Sequence, residues 1–140
     1  MTATISTRLN ESTDSLLRFA MRADAVVSGL AGIATLIFAL QFAELSGTTV
    51  AVEYTIGAFF VAFGVGVLVL AARPAIRLSG LVLAIGNLAF SVATVVVVLA
   101  DVWPLTTAGV ALVLGTGVYT LIMAELQYQG VRRIAKAGRV

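Results

Sequence analysis

The feature of the sequence that most restricts its fold is a set of four long apolar stretches, at residues 25–43, 54–72, 78–100 and 106–126. A helix of about 20 apolar residues spans the hydrocarbon core of a bilayer. No proline interrupts the stretches, since Pro74 and Pro104 both lie in connections, where a missing backbone N–H costs least. The connections are short, so consecutive helices should be antiparallel neighbours. The sequence therefore predicts an all-α fold, an integral membrane four-helix bundle forming one transmembrane domain over residues 1–140.

Composition agrees with lipid as the surrounding solvent. Charged residues make up 11% of the chain and the mean hydropathy is +1.06, whereas soluble domains carry roughly a quarter charged residues. The chain contains no cysteine and no histidine, which excludes disulfides, thiolate chemistry and Cys/His metal sites. Without these residues no nucleophile–base pair is available for catalysis, and the basic residues form no stripe suited to nucleic acid. We therefore expect no enzyme, no cofactor or metal, and no nucleic acid partner.

Basic residues are distributed asymmetrically along the chain. All nine precede the first apolar stretch, connect the second to the third, or follow the fourth. The positive-inside rule assigns such segments to the cytoplasm. We therefore expect a multi-pass protein of the cell inner (plasma) membrane with both termini cytoplasmic. Glu44, Glu53 and Asp101 fall on the opposite side, where Tyr54 and Trp103 match an outer aromatic belt.

Two terminal segments lie outside the apolar stretches. Residues 1–12 are polar and are predicted to be mobile. From Leu16 the pattern is amphipathic, which predicts either a short cytoplasmic interfacial helix or an extension of the first span. Residues 129–140 form a basic cytoplasmic tail, in which Arg132 and Lys136 share a helical face with Arg139. The tail either binds the anionic inner leaflet, at ~1 kcal/mol per basic residue, or only sets the topology.

Small residues recur at four-residue spacing within the apolar stretches. Membrane helices associate where such residues allow two backbones to approach closely. The positions that form this small-residue seam are Ser28, Gly32, Ala58, Ala62, Gly66, Ala111 and Gly115. The seam predicts a compact bundle, and it offers surfaces for self-association or for other membrane protein subunits.

A polar stripe follows one face of the third stretch. Asn87, Ser91 and Thr94 occur at helical spacing, and Tyr119 of the fourth stretch lies at a comparable depth. An amide in hydrocarbon needs a hydrogen-bond partner, and interhelical bonds of this kind contribute on the order of 0.6–2 kcal/mol. The stripe is therefore either polar packing between helices or the lining of a path for a substrate or ion.

Two acidic residues, Asp24 and Glu125, lie at the predicted cytoplasmic ends of the first and fourth stretches. An acid in a membrane span is a functional candidate by default. Arginines lie near both acids in the sequence, so the acids and arginines are predicted to form a structural ion-pair layer. Its members are Arg18, Arg22, Asp24, Glu125, Arg132 and Arg133. Coupling to protons is the alternative, although arginine partners disfavour a carrier role because they hold a carboxylate in its charged form.

Several short motifs carry a family resemblance. They are Leu17-Arg18, Arg22-x-Asp24-Ala25, Gly29, Asn87, Pro104 with Thr107 and Gly109, and Gln127-x-x-Gly130-x-Arg132-Arg133. In these motifs, over residues 16–134, the chain resembles small four-helix integral membrane proteins common in actinobacteria. The resemblance implies the four-span topology, and it does not indicate an activity. The chain differs from the small multidrug transporters, which resemble one another in a glutamate embedded in the first span, because residues 25–43 contain no acid.

Two functional hypotheses follow from these patterns. The first is a non-enzymatic accessory or structural subunit of a larger membrane complex, in lipid transport or cell-envelope assembly. It relies on the small-residue seam and on the short loops. The second is a small transporter or lipid-binding membrane protein that uses the polar stripe around Asn87. A cavity lined by Asn87, Ser91 and Tyr119 would favour the second hypothesis, and a filled bundle with an external groove would favour the first.

Overall fold

The computed structural model describes the backbone of residues 2–138 and the side chains of residues 13–138. Residues 2–138 form helices and connections without a strand. The helices are α1 (Thr2–Ile37), α2 (Ala39–Ser46), α3 (Val50–Ala71), α4 (Arg77–Leu99) and α5 (Thr107–Ala137). Within this part of the chain, four helical segments are long and apolar enough to cross a membrane: Thr13–Ile37, Val50–Ala71, Arg77–Leu99 and Thr107–Ala137. The predicted all-α fold with four spans is confirmed.

The first predicted span is divided between two helices. α1 is continuous from Thr2, and the chain bends at Phe38 (φ −108°, ψ 30°) before α2 begins. Leu17 and Met21 are fully buried in the core of the bundle. The segment from Leu16 is therefore continuous with the first span and contributes side chains to the core of the bundle. Residues 2–12, predicted to be mobile, continue the helical backbone of α1.

The helices form two closely packed pairs. α1 packs along α3, α4 packs along α5, and α1 also packs against α5 and so joins the pairs. α3 and α4 make few contacts, although residues 72–76 connect them directly. The expectation that all consecutive spans are neighbours is wrong for this pair. A short connection brings only the adjoining helix ends together and does not hold two helices in contact along their length.

Glycines bring the backbones of α1 and α3 together. A Cβ atom on Gly64 would lie 2.7 Å from the carbonyl oxygen of Ala25, and one on Gly32 would lie 2.8 Å from the backbone nitrogen of Val61. A Cβ atom on Gly57 would lie 3.0 Å from the carbonyl oxygen of Gly32. Since any side chain at these positions would push the helices apart, glycine permits the close backbone approach on which membrane helix packing depends.

The small-residue seam is correct in α1 and wrong in α3 and α5. Ser28 and Gly32 are buried. The other members are exposed: Ala58, Ala62, Gly66, Ala111 and Gly115. A Cβ atom on Gly66 would meet nothing within 4 Å, and Gly57 and Gly64 occupy the packing face of α3 instead. Small residues lie on several faces of each helix, so their spacing alone does not select the face that packs.

The two ends of the bundle differ in charge. One end is called here the basic end, because arginines of α1, of residues 72–76 and of α5 lie there. At this end Leu17 of α1 packs against Gly80 of α4 and Gly130 of α5. At the acidic end, the hydroxyl of Thr106, the N-cap residue of α5, donates to the carbonyl oxygen of Leu45 in α2. The acidic end carries Glu44, Glu53 and Asp101. The described parts of both chain termini therefore lie at the basic end, as expected for four spans.

Candidate functional site

The side chain of Asp24 is the most deeply buried charged group among the described side chains, with an exposed fraction of 0%. It lies on the inward face of α1, in register with Leu17, Met21 and Ser28. Its partner Asn87 lies ten residues after Arg77 in α4, or ~15 Å from the basic end along the helix axis. Asp24 therefore lies well inside the bundle, within the candidate span Thr13–Ile37, and not at its basic end.

Four neutral groups hold the carboxylate. The Asn87 amide nitrogen donates to Oδ2 at 2.8 Å, and the Gln127 amide nitrogen donates to the same oxygen at 2.8 Å. The Ser28 hydroxyl donates to Oδ1 at 3.2 Å, and the Tyr119 hydroxyl donates to Oδ1 at 3.1 Å. Since these donors come from α1, α4 and α5, the carboxylate joins three helices. Asp24, Ser28, Asn87, Tyr119 and Gln127 are called here the Asp24 centre.

The Asp24 centre also contains a bond between its two amides. The Asn87 amide nitrogen donates to the Gln127 side-chain oxygen at 3.0 Å. Gln127 has an exposed fraction of 0%. The sequence analysis named Gln127 only within a motif of the family resemblance and gave it no role in a site, because the fourth apolar stretch ends at residue 126 and the glutamine was placed outside the span. The motif Gln127-x-x-Gly130 was the signal available in the sequence.

The predicted ion-pair layer is wrong for Asp24. Arg18 pairs with Asp14 at 2.8 Å, and Arg22 is exposed. Among the described side chains, Asp24 makes no ion pair; its partners are the four neutral donors. Arg18 lies six residues before Asp24, which at ~100° per residue turns the two side chains to different faces of α1. Sequence proximity therefore did not imply contact.

The other members of the predicted layer also lie apart. The Glu125 carboxylate is exposed and accepts a hydrogen bond from Gln129 at 2.7 Å. The Arg132 guanidinium lies over the Tyr128 ring, 5.8 Å from its centroid, and Arg133 is exposed. None of these residues forms an ion pair with another described side chain. Glu125 and Asp24 point to opposite environments, because one faces outward and the other faces the bundle interior.

The polar stripe is divided by the packing. Asn87 and Tyr119 both bond to Asp24, whereas the Thr94 hydroxyl donates to the carbonyl oxygen of Ser91 at 2.6 Å. Thr94 packs against Gly117 of α5. The structure thus brings two of the four stripe residues into the Asp24 centre and places the other two nearer the acidic end, where they are internal to α4 and its contact with α5.

A cleft between α3 and α4 opens beside the Asp24 centre. Its inner part, about 260 Å³, has a polar floor of Ser28, Asn87 and Thr120. Its outer part, a groove of about 440 Å³, extends toward Trp103 at the acidic end. Both parts are lined by Phe59, Phe60 and Phe90. We call these two adjacent cavities together the α3–α4 cleft; both have apolar walls, they share the three phenylalanines, and the inner one has the polar floor.

A second cavity lies on the other side of the Asp24 centre. It has a volume of about 340 Å³ and is lined by residues of α1 and α5, with Phe60 of α3. Ser28 and Thr120 line this cavity as well as the α3–α4 cleft, and Tyr119 lines this one alone. The Asp24 carboxylate, which is itself sealed, therefore has cavities on two sides that reach the residues holding it.

The polar groups that reach these cavities form hydrogen bonds. Among the described residues, no three His, Cys, Asp or Glu side chains come together in a way that could hold a metal ion. The polar groups at the floor of the cleft are hydroxyls and an amide, which recognise a ligand by hydrogen bonds. Comparison with known proteins gives no match to a protein-family model, a curated protein or a solved structure.

Proposed function

We propose that the chain is a non-enzymatic protein of the cell inner membrane that binds a lipid-like amphiphile in the α3–α4 cleft. The observation that carries the proposal is the separation of α3 from α4, which leaves a volume lined by aromatic side chains and open to the bilayer. The proposal takes up the lipid-binding hypothesis. The small transporter belongs to the same hypothesis, and the cleft supports its binding step.

The lining of the cleft selects an apolar occupant. The outer groove is bordered by Phe59, Phe60, Phe90 and Trp103, and its threonines bond within their own helices. Ligand pockets of ~300–1,000 Å³ with apolar walls and a few polar groups are typical of small-molecule sites. The two parts of the cleft lie within this size range when taken together. The lateral opening gives a lipid-like molecule access directly from the bilayer.

Filling the groove tests the proposal. Ala93 of α4 lines the outer groove, and Ala93→Phe should displace the ligand by occupying its volume. Ala89 is exposed on the same helix and borders neither part of the cleft, so Ala89→Phe is the matched control. Native mass spectrometry of the chain released from membranes should detect a bound amphiphile on wild type and on Ala89→Phe, but not on Ala93→Phe. Equal retention by all three proteins would refute the proposal.

The orientation of the chain in the membrane is part of the same proposal. The basic end carries arginines from α1, from residues 72–76 and from α5, and the positive-inside rule places such an end in the cytoplasm. Both termini are then cytoplasmic, and the basic tail of α5 faces the anionic inner leaflet. The chain has no cysteine, so single cysteines report accessibility. An impermeant thiol reagent on intact cells should label Val102→Cys and leave Ala75→Cys unlabelled; the reverse pattern would invert the topology.

An accessory subunit of a larger membrane complex, in lipid transport or cell-envelope assembly, is a second candidate. The observation that favours it is a groove of about 340 Å³ between α4 and α5, lined by Ile85, Leu88 and Glu125. Glu125 lies five residues before Gly130, or ~7 Å from the basic end toward the bilayer centre. A carboxylate on this lipid-facing surface is costly. A partner helix that supplies a lysine or arginine would neutralise it.

Site-specific crosslinking tests the second candidate. A photoreactive residue at Leu88, in the groove, should form an adduct whose crosslinked peptide contains a lysine or arginine near the crosslink. Val92 is exposed on α4 but lies outside the groove, so the same residue placed there should give no adduct. The adduct should be lost in Glu125→Leu. An adduct of twice the chain's mass would identify self-association instead of a partner subunit, and no adduct at Leu88 would exclude the groove as an interface.

A further inference from the structure

The polar floor of the α3–α4 cleft has used its hydrogen-bond donors. The Ser28 hydroxyl donates to Asp24, and the Thr120 hydroxyl donates to the carbonyl oxygen of Gly117 at 3.0 Å. The Asn87 amide nitrogen has two hydrogens, one donated to Asp24 and the other to Gln127. A hydroxyl has one donor hydrogen and a primary amide has two. No donor on these three side chains is left for a ligand.

The acceptors on the same side chains remain open. Hydroxyl oxygens have two lone pairs each, and the Thr120 side-chain oxygen accepts no hydrogen bond from a described group. The Asn87 side-chain oxygen accepts no hydrogen bond from a described residue, while its nitrogen bonds twice. The floor of the cleft therefore presents oxygen acceptors only. This asymmetry arises because Asp24, Gln127 and the carbonyl oxygen of Gly117 accept the hydrogens of the three side chains.

Charge reinforces the asymmetry. The carboxylate lies directly behind Ser28 and Asn87, at 3.2 and 2.8 Å from their donor atoms. Among the described side chains no cation pairs with it. In a medium of low dielectric constant, the interaction between two charges at a given distance is stronger than in water. A positive group at the floor of the cleft would thus interact favourably both with the acceptors and with the charge behind them.

From these observations we infer that the ligand of the cleft carries a hydrogen-bond donating head group, best a primary ammonium, on an apolar chain. The inference rests on the proposed function, and it adds the class and orientation of the ligand. The head lies on Ser28, Asn87 and Thr120, and the chain extends along the phenylalanines toward Trp103. A carboxylate or phosphate head group is excluded from this floor, because it would place hydrogen-bond acceptors and negative charge against acceptors and a carboxylate.

The orientation of the bound ligand can be measured directly. Trp103 is the single tryptophan of the chain and lines the outer groove. Asn87 lies twelve residues before Leu99, the last residue of α4, which corresponds to ~18 Å along the helix axis. This distance is about the length of a medium alkyl chain. An amphiphile in free bilayer keeps its head at the interface and its chain end near the midplane. A bound one has its chain end near Trp103, so a terminal bromine should quench the tryptophan fluorescence.

The experiment compares two terminally brominated amphiphiles of equal chain length, a primary amine and a methyl ester, on the full-length protein in nanodiscs. The ester has acceptors and no donor. The amine should quench Trp103 at a concentration about tenfold or more below that of the ester, the ratio expected for a hydrogen bond to a charged group. Asp24→Asn should reduce this ratio, and Thr120→Val, a near-isosteric loss of one acceptor, should reduce it less.

Thr55→Val is the matched control, because Thr55 lines the outer groove away from the floor and its loss should leave the ratio unchanged. Ester quenching shows that each variant retains the folded cleft, and Thr120→Val keeps the test informative if Asp24→Asn does not fold. Equal quenching by amine and ester would overturn the donor preference and leave the cleft as an apolar site. A ratio that neither variant changes would overturn the placement of the head. No quenching by either amphiphile would overturn the proposed function as well.

Discussion

The two faces of α3 pack in opposite ways within one apolar environment. Toward α1, glycines at positions 57 and 64 allow the backbones to touch. Toward α4, the Phe60 and Phe90 rings meet with centroids 5.9 Å apart and the helices stay separated around the cleft. Lipid is as apolar as either face, so hydrophobicity does not distinguish them. The size of the side chains at the crossing determines which face closes and which stays available to a ligand.

The largest expected effect is on the closed face. Gly64→Leu introduces a side chain where a Cβ atom would lie 2.7 Å from the Ala25 carbonyl oxygen, and it should lower the free energy of unfolding by at least ~2 kcal/mol. Gly66→Leu, two residues along the same helix, points into open space and should change it by less than ~0.5 kcal/mol. Denaturant titration in mixed micelles measures both variants, and equal losses would contradict the described α1–α3 packing.

Asp24→Asn breaks the link between the two helix pairs. The asparagine oxygen can still accept from Asn87 and Gln127, but its amide nitrogen then faces the Ser28 and Tyr119 hydroxyls, which lose their acceptor, and the bonds that remain lose their charge assistance, at a cost of ~1–3 kcal/mol. A double-mutant cycle with Gln127→Leu should show coupling, because the two side chains bond directly. The same cycle with Arg18→Gln should show none. Coupling of Asp24 to Arg18 instead of to Gln127 would support the predicted ion-pair layer.

Arg18→Gln removes a clamp at the end of the closed face. The guanidinium donates to the carbonyl oxygens of Ala71 at 2.8 Å, Arg73 at 2.7 Å and Pro74 at 2.9 Å, which are groups that the end of α3 leaves unsatisfied. These bonds are partly exposed, so the expected cost is ~1 kcal/mol. Hydrogen exchange should rise in the last turn of α3. Arg22→Gln is the exposed control, and an equal rise there would mean that charge alone is responsible.

The smallest effect on stability is expected on the open face. Phe90→Ala enlarges the cleft, and lipid can enter the added volume, so the free energy of unfolding should fall by less than ~1 kcal/mol. Ligand binding should change more than stability does, because the ring lines both parts of the cleft. The quenching of Trp103 by a brominated ester measures this effect. A stability loss as large as that of Gly64→Leu would show that Phe90 closes the bundle and is not merely part of a cleft wall.

Prediction from the sequence succeeded where local composition decides the outcome. The number of spans and the clustering of arginines at one end follow from residues close together in the chain, and burial of Asn87 against a polar partner follows from its chemistry alone. Asp24 was predicted to lie at the end of the first span, because the apolar stretch was taken to begin at residue 25. In the structure, α1 already buries Leu17 and Met21, which precede Asp24.

The tertiary structure alone decided which face of each helix is buried and which groups meet. α3 carries small residues on several faces, and only its contact with α1 selects Gly57 and Gly64 over Gly66. Apart from Ser28, the hydrogen-bond partners of Asp24 are separated from it by 63 to 103 positions in the chain. The sequence by itself determined that membrane-spanning helices form, because hydropathy and length are properties of each segment. Their rotation and pairing depend on the joint fit of all five helices, since lipid rewards no apolar face over another.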